Sequence, residues 1–420
     1  MRNRRNKRNN SIKNLLITKK RLLLAIILII IICLSIFIIK SRQEQTKAIL
    51  VAQRKELEEQ TEEIFKDIEK PYVSEEKTLQ TTTAKIAAVG DILCGTDMLA
   101  DAKDGDTYKF DYMFEGISKL LIKSDIAVGT LETNFTDEAY SGVGKYNSPI
   151  EFLKAVKKSG INLVSLAHNH VLDYGEEGLN KTIERIKEQG ISTTGIKNNT
   201  ENTDENFTGI IKEVRRIKIA ILSYTYGLSN ESKISEDEKA IANIYSEEKV
   251  KHDIDYAKEN SNFIIVVMHW GEVNKSTISQ WQKDVRDYLI ENGVDLILGS
   301  HPSVIEPMEM IKTEDEKNIL VAYSLGNYIS SLKYENADVE LVLNIEIQKE
   351  PDAEKAILKK VDYTPIYVLD NGIKAENRFE LVDMKGLALD YANGNTDKIT
   401  KATYNKIVKK LEWLNKLIVK

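Results

Sequence analysis

Two of the five histidines of the chain stand in one short polar turn, His168-Asn169-His170. The apolar stretch 161–167 precedes this turn, Asp173 follows it, and a helical pattern begins at Glu176. This order predicts a strand, a turn and a helix. Open α/β sheets bind their ligands beyond the carboxyl ends of their strands. We therefore expect two imidazoles, a carboxamide and a carboxylate at such an edge.

The ends of other predicted strands repeat this arrangement. Between residues 86 and 325 there are seven short apolar runs, and six end in a residue type that can ligate a metal or orient a ligand. A lone aspartate after a strand is often a helix cap, and a lone histidine is often a satisfied core side chain. The combination is harder to dismiss, because four of the five histidines stand at strand ends. The side chains concerned include Asp91, Glu132, Asn169, His170, His269 and His301.

These side chains offer oxygen and imidazole ligands without any thiolate. Such a set suits a divalent ion of manganese, zinc or iron better than a structural zinc held by cysteines. A bound ion of this kind can lower the pKa of water and clamp a phosphoryl or carbonyl oxygen. The two cysteines, Cys33 and Cys94, lie far apart in the sequence, so the fold does not depend on disulfides.

The elements that would position these residues begin at about Lys85. From there, short apolar runs alternate with helical segments, which predicts βα units around a mainly parallel sheet and hence an α/β fold. The strands at 339–347 and 356–368 look antiparallel or peripheral, and residues 397–418 form an amphipathic helix. We divide this part into a main domain, 85–348, and a carboxyl-terminal extension, 349–420.

The amino-terminal part has the pattern of a membrane anchor. Residues 22–39 form an uncharged, apolar run of eighteen residues, which is long enough to cross a bilayer. A cleaved signal peptide is the alternative, but the sequence Phe37-Ile38-Ile39-Lys40 offers no small-residue cleavage site. Nine Lys or Arg residues precede the run, so we expect a cytoplasmic tail, 1–21, and an extracellular carboxyl-terminal part. Residues 40–84 would form a helical stalk and linker.

Charge is distributed unevenly along the chain. Of the 59 Lys and Arg residues, eleven lie in residues 1–42, where there is no Asp or Glu, and the remaining residues hold 48 basic and 65 acidic side chains. A domain with this net charge of −17 is a poor non-specific partner for nucleic acid. It would also repel a polyanionic substrate unless a bound cation or a local basic patch compensated.

The strand ends carry a set of short motifs in a fixed order: Gly90-Asp91, Leu131-Glu132, Asn169-His170 with Asp173 and Gly175, His269-Trp270-Gly271, Gly299-x-His301-Pro302 and Ser324-Leu325-Gly326-Asn327. The order of these motifs resembles that of the CapA family of poly-γ-glutamate capsule biosynthesis proteins. The resemblance covers about residues 85–330, and a motif set in one order is far more specific than a single short match. It implies the fold of the calcineurin-like metallophosphoesterases, a four-layer α/β sandwich with metals at its strand ends.

The resemblance also implies a role for each matching residue. His170 would face the substrate oxygen as a catalytic residue, with Asp173 beside it. Glu132 occupies the position expected to bridge two ions. The implied metal ligands are Asp91, Glu132, Asn169, His269 and His301, and the implied substrate-binding residues are His168, Trp270, Glu272, Ser303 and Asn327.

The sequence departs from the family pattern at three positions. Leu93 and Ser303 stand where the phosphoesterase pattern has histidines, and Val273 stands where CapA proteins commonly have a glutamate, although Glu272 is adjacent. One metal position therefore keeps its shell, while the other has lost two imidazoles. We expect one tightly bound divalent ion.

Two functions remain open from the sequence. The first is an accessory protein of capsule or extracellular-polymer synthesis, anchored in the cell membrane beside other membrane proteins of that synthesis. Its site would bind a metal and an anionic polymer or precursor. The second is a metal-dependent hydrolase that acts on a phosphoester or on an amide of the polymer. Fold alone does not decide between them.

Overall fold

A computed structural model describes residues 80–197 and 206–418 of the chain. The described strands are β1 Thr82–Ile92, β2 Lys103–Asp104, β3 Thr107–Tyr108, β4 Ile126–Leu131, β5 Ser141–Val143, β6 Lys145–Asn147, β7 Leu163–Ser165, β8 Ser192–Thr194, β9 Ile210–Val214, β10 Ile217–Thr225, β11 Phe263–His269, β12 Leu296–Ser300, β13 Met308–Lys312, β14 Asn318–Ala322, β15 Asn327–Ile329, β16 Val339–Lys349, β17 Ile357–Asp370 and β18 Phe379–Asp383. The described α-helices are α1 Thr96–Asp101, α2 Asp111–Glu115, α3 Ser118–Leu121, α4 Ile150–Lys158, α5 Gly175–Glu188, α6 Glu236–Lys239, α7 Glu247–Asn260, α8 Gln280–Glu291, α9 Met384–Ala392 and α10 Lys401–Ile418.

The larger sheet is built around β1. Its strands run in the order β18-β17-β16-β1-β4-β7-β8, and β15 pairs with the end of β1. Strands β1, β4, β7 and β8 are parallel to one another, and β16, β17 and β18 pair antiparallel beside β1. All six residues of β4 are buried, as expected for a strand that is covered on both faces. The prediction of antiparallel strands after about residue 340 is confirmed.

The second sheet has the order β13-β14-β12-β11-β10-β9. Its central strands are parallel, and β9 and β13 pair antiparallel at its two edges. The sequence pattern predicts one mainly parallel sheet, and the structure instead divides the strands between two mixed sheets. A βα alternation cannot show this division, because it does not mark where the chain leaves one sheet for the other.

Three apolar layers join the sheets and the helices. Side chains of a strand alternate between its two faces, so Ile86 of β1 packs between the sheets in one layer with Ile219 of β10, while Ala87 faces the side of α2, α4 and α5. On the far side of the second sheet, Leu222 of β10 packs in a layer with residues of α7 and α8. The result is a four-layer α/β sandwich, the layer order that the family resemblance implies.

The described part of the carboxyl-terminal extension, 349–418, belongs to the same sheet and core as the residues before it. β17 pairs with β16 over most of its length, and β18 pairs with β17. The predicted amphipathic helix is present as α10, which buries Ile407 and Leu414 in the layer between the sheets. No structural division therefore falls at the boundary 348/349 that the sequence suggests.

The predicted cytoplasmic tail, membrane anchor and most of the stalk lie outside the described residues. Within residues 80–197 and 206–418, no helix is both long enough and apolar enough to cross a membrane.

Candidate metal centre

The carboxyl ends of parallel strands from both sheets meet at one edge of the sandwich. Thr130 at the end of β4 and Ser300 at the end of β12 link the sheets there through a hydrogen bond of 2.9 Å between their hydroxyl groups. Because the two sheets share this edge, side chains that follow strands of either sheet can meet. The larger sheet supplies Glu132, Asn169 and His170, and the second sheet supplies His269 and His301.

Four possible ligand atoms converge at this edge. His269 Nε2 lies 2.9 Å from Asn169 Oδ1, 3.1 Å from His301 Nδ1 and 3.9 Å from Glu132 Oε1. Glu132, His269 and His301 each offer one ligand atom, and these three atoms lie within 4.8 Å of one another. Four ligands about 2.1 Å from a tetrahedral ion would stand about 3.4 Å apart. The spacings therefore suit a single ion.

Neighbouring groups fix the orientation of two of these ligands. Asn169 Nδ2 donates to Ser229 Oγ at 2.7 Å, and the Ser229 N–H donates to the main-chain oxygen of Asn169 at 2.7 Å. The amide oxygen of Asn169 is thereby turned toward His269. His301 has a φ of 98°, a conformation that residues other than glycine rarely adopt. This bend directly after β12 accompanies the contact between the two imidazoles.

The electrostatics of the centre favour neutral side chains when no cation is bound. Burial, followed by repulsion from Asp91 and Asp173, raises the pKa of Glu132 well above its usual range. Burial, followed by the neighbouring His269 and His170, lowers the pKa of His301 well below its usual range. A divalent cation would reverse the penalty on the Glu132 carboxylate. A neutral imidazole is also the form that binds a metal.

The hydrogen-bonding atoms around His269 fit a cation. Its Nδ1 lies 3.2 Å from Ser300 Oγ and 3.5 Å from Asp91 Oδ1, and Asp91 Oδ1 is buried with no hydrogen-bond partner among the described residues. A neutral imidazole carries a single proton. When that proton is on Nδ1, beside Asp91, the Nε2 lone pair faces the acceptor oxygen of Asn169. In that tautomer the Nε2 lone pair and the Asn169 oxygen can both bind one cation, so the donor set fits a divalent metal. With the proton on Nε2, the same contact is a hydrogen bond.

His170 faces the same centre from the side. Its Nδ1 lies 2.8 Å from Asp173 Oδ2, and its Nε2 lies 3.9 Å from Glu132 Oε1. The Asp173 side chain is only 1% exposed and also accepts the Tyr146 N–H at 3.3 Å. The carboxylate favours a proton on Nδ1, which leaves Nε2 directed to the centre. His170 can therefore hold or transfer a proton beside a bound ligand.

Asp91 and Trp270 lie differently from what the sequence suggests. Asp91 is next to the Nδ1 atom of His269 and not to the Nε2 atom, where the other predicted ligands meet. The Trp270 side chain is fully buried in the outer layer of the second sheet, and its Nε1–H donates to the main-chain oxygen of Tyr323 at 2.8 Å. The prediction that Trp270 contacts substrate is therefore wrong. Its neighbour His269 faces the centre, and consecutive residues at a strand end face opposite sides.

The other predicted substrate-binding residues divide into buried and exposed ones. His168 is 1% exposed, with its ring centroid 6.2 Å from that of His269. Ser303 and Asn327 are also buried, and Asn327 Nδ2 donates to the main-chain oxygen of Ser303 at 3.1 Å. These three side chains are covered by the surrounding protein. Glu272 is exposed, and its contact with substrate stays a prediction.

Two tyrosines that sequence reasoning missed line the centre. The ring centroid of Tyr226 lies 4.7 Å from that of His301, and that of Tyr146 lies 4.7 Å from that of His170. Burial, followed by Glu132, raises the pKa of Tyr146 to about 12 and also raises that of Tyr226. Both phenols therefore stay protonated and can donate a hydrogen bond. Tyr226 directly follows β10, so its place after a strand was an available signal, whereas no such pattern marks Tyr146 in β6.

The fold and the centre together define an α/β sandwich with an oxygen and imidazole site at its strand ends. The sequence model of the family described as Bacterial capsule synthesis protein PGA_cap matches residues 85–332, which is more than half of the 420 residues. The chain belongs to this family. The resemblance to CapA proteins that its motifs indicate is thereby confirmed.

Two relatives illustrate the similarity. Over 250 residues, the chain is 26% identical to the capsule biosynthesis protein CapA of Bacillus anthracis, and the match covers 57% of this chain and 58% of that protein. Over 259 residues, it is 23% identical to the PGA biosynthesis protein CapA of Bacillus subtilis (strain 168), and this match covers 60% of this chain and 65% of that protein. The match thus spans less than two thirds of the length of either relative.

Solved structures with a similar fold include hydrolases. The NAD nucleotidase NadN of Haemophilus influenzae matches with a TM-score of 0.44 and 13% identity over 80% of this chain and 68% of that one. The calcineurin-like phosphoesterase YfkN of Bacillus subtilis matches with a TM-score of 0.40 and 13% identity, over 68% of this chain and 90% of that one. At these scores the matches say nothing about the activity of this chain.

Proposed function

We propose that the chain is a membrane-anchored, extracellular component of capsule-polymer synthesis whose strand-end centre binds one divalent metal and an anionic polymer or precursor. The observation that carries the metal site is the convergence of four ligand atoms from two sheets on one point. Membership of the capsule synthesis family supports the biological role. The basic residues before the apolar run 22–39 support the anchor and its orientation. A poly-γ-glutamate-type polymer and neighbouring membrane proteins of its synthesis are the proposed partners.

The ion would be held by Glu132, Asn169, His269 and His301. When bound, a manganese, zinc or iron ion would polarise a phosphoryl or carbonyl oxygen and lower the pKa of water. The chain's own contribution would be to fix the ligand positions and to exclude bulk water, since these four residues are at most 8% exposed. The ion would also place a local positive charge at the site, where an anionic chain would otherwise meet only the negative charge of the domain.

A metal-dependent hydrolase is the second candidate, and the pair of His170 and Asp173 favours it. Asp173 holds the imidazole by its Nδ1 at 2.8 Å, so the Nε2 atom could accept a proton from the attacking water and then donate it to a leaving oxygen or nitrogen. A site that only binds polymer does not need a carboxylate-oriented imidazole beside its ion. The substrate would be a phosphoester or an amide of the polymer or its precursor.

Metal content and turnover of the full-length chain in detergent test both candidates. We expect about one equivalent of divalent metal, measured by mass spectrometry of the metal. Turnover of bis-p-nitrophenyl phosphate that disappears with chelator and with His170→Ala would establish the hydrolase. The matched control is His252→Ala, since His252 is on α7 with a half-exposed side chain. Bound metal without turnover of this ester or of a polymer amide favours the binding function, and absence of metal from the wild type would contradict the proposal.

A further inference from the structure

Asp91 occupies a rigid and completely buried position behind the metal centre. It stands near the end of β1, where its N–H donates to the main-chain oxygen of Gly326 at 3.1 Å. The backbone at Gly90 approaches Gly326 so closely that an added Cβ would lie 1.9 Å from the Gly326 oxygen. The Gly90 N–H also donates to the Glu340 carboxylate at 3.1 Å. The Asp91 carboxylate therefore projects from a backbone that is fixed on both sides.

One oxygen of Asp91 holds the backbone of a proposed ligand. The His301 N–H donates to Asp91 Oδ2 at 2.7 Å. His301 has a φ of 98°, and a residue other than glycine keeps such a conformation only where the surrounding structure enforces it. The bond from Asp91 is one contact that stabilises this bend, and the bend directs the His301 imidazole to His269.

The other oxygen of Asp91 faces a second proposed ligand. Asp91 Oδ1 lies 3.5 Å from His269 Nδ1 and has no hydrogen-bond partner among the described residues. A histidine that binds a metal through one nitrogen usually donates the N–H of the other nitrogen to a carboxylate or carbonyl, which fixes the tautomer and the ring orientation. Asp91 is placed to be that acceptor, although the hydrogen bond that His269 Nδ1 makes in the structure is with Ser300 Oγ, at 3.2 Å.

Two positions that would supply imidazoles to a separate ion beside Asp91 carry other side chains here. Leu93, two residues further along, is an apolar side chain that is 2% exposed, and Ser303 is buried with its Oγ directed to the His301 oxygen at 3.4 Å. The phosphoesterase pattern has imidazoles at both positions. Without them, Asp91 has no imidazole partner for a second ion, but it keeps its contacts with both histidines of the first.

We propose that Asp91 is a positioning residue that orients His269 and His301 together and does not itself ligate the ion. This inference rests on the proposed metal site. Loss of the Asp91 charge should weaken metal binding while the set of ligand atoms stays the same. A direct ligand would behave differently, because its loss changes the coordination of the ion as well as the affinity.

Cobalt(II) titration of the full-length chain in detergent separates these cases, since the visible spectrum of cobalt reports its coordination number and geometry. We expect Asp91→Asn to bind cobalt about 10- to 100-fold more weakly, the range for loss of an outer partner of a ligand, with an unchanged spectrum at saturation. The matched control is Asp295→Asn, because Asp295 is another buried carboxylate that accepts a backbone N–H, from Ile264 at 2.7 Å. This control should leave cobalt affinity within about threefold of the wild type.

Three results would overturn the inference. A changed cobalt spectrum in Asp91→Asn would make Asp91 a ligand. An unchanged cobalt affinity in that variant would show that Asp91 does not position the ligands. An equal loss of cobalt affinity in Asp295→Asn would show that the effect is not specific to Asp91. If Asp91→Asn does not unfold cooperatively, Asp91→Ser replaces it, because its hydroxyl can still accept a backbone N–H but carries no charge. A wild type that binds no cobalt would contradict the proposed metal site itself, which distinguishes that failure from the failure of the role of Asp91.

Discussion

His269 Nε2 and Asn169 Oδ1 lie 2.9 Å apart, although the two residues are 100 positions apart in the sequence. Asn169 follows β7 of the larger sheet, and His269 ends β11 of the second sheet. No local element can hold this pair, so the packing of one sheet on the other must do so. The centre therefore forms only when both sheets are folded and joined at this edge.

Removal of the His269 imidazole should release the proposed ion. His269 Nε2 lies within 3.9 Å of each of the other three ligand atoms, so His269→Ala removes a donor that contacts the whole set. We expect metal affinity to fall at least tenfold, which corresponds to about 1.4 kcal/mol. Retained metal is measured after dialysis against a mild chelator. His252→Ala should retain as much metal as the wild type, and equal retention by His269→Ala would contradict the site.

Replacement of Glu132 by glutamine should stabilise the metal-free protein at neutral pH. The pKa of Glu132 is raised in the folded state by burial and by Asp91 and Asp173, so the folded protein binds its proton more tightly than the unfolded chain. The stabilising contribution of that proton is present below the unfolded pKa, near 4.5, and is lost as the pH rises through the folded pKa.

Glutamine stays neutral at every pH, so the variant does not bury the charge that destabilises the metal-free wild type above this pKa. In chelator at pH 7, Glu132→Gln should therefore melt a few degrees above the wild type by calorimetry. With saturating metal the order should reverse, since the wild type alone keeps the carboxylate ligand. A lower melting temperature of the variant in chelator would show that the Glu132 carboxylate is not destabilising in the absence of metal.

The ligands of the candidate site can be predicted from the sequence, because each one follows a strand that its own apolar run predicts. The run 126–131 is β4 residue for residue, and Glu132 comes next. In the same way, the run at 263–268 predicts β11, whose last residue is His269. Apolar runs and polar ends are properties of a few consecutive residues, so they can be seen before the fold is known.

What the sequence could not show depends on tertiary packing. The division into two sheets, the position of Asp91 at Nδ1 of His269 and the contact of Tyr146 with His170 each join residues from separate elements. Trp270 is an instructive case, because a motif neighbour of a ligand suggests a role at the site. The alternation of side chains places it in the core instead.

Loss of the Asp173 charge should reduce turnover without loss of metal. In Asp173→Asn the His170 imidazole loses the carboxylate that lies 2.8 Å from its Nδ1, so its tautomer is no longer fixed. If the hydrolase candidate holds, we expect turnover to fall by about 10²- to 10⁴-fold, the usual contribution of a positioned acid or base. Metal content should remain at the wild-type level. Asp137→Asn is the control, because Asp137 pairs with Lys181 on the surface, and a loss of metal in Asp173→Asn would instead assign Asp173 to the metal shell.

The predicted topology can be tested in whole cells. Nine basic residues precede the apolar run 22–39 and two follow it closely, so residues 85–420 should lie outside the membrane. We expect the intact chain in the membrane fraction, and we expect external protease to remove its carboxyl-terminal part without lysis. Release of the chain into the medium with a new amino terminus near residue 40 would instead show a cleaved signal peptide.

The chain should retain a single tightly bound ion per molecule. A second ion would need its own shell, about 3.5–4 Å from the first, but Leu93 cannot ligate and a neutral serine hydroxyl at 303 is a weak ligand. Metal analysis after mild chelation should therefore give one equivalent for the wild type, and two retained equivalents would mean that other residues complete a second shell.

Ser303→His tests the same reasoning in the opposite direction by introducing an imidazole that the phosphoesterase pattern has at this position. The φ of Ser303 is 62°, a left-handed conformation in which histidine is found more often than most residues, so the backbone can accept it. We expect this variant to gain occupancy at a second site, while Ser303→Ala, which adds no ligand, should stay at one equivalent.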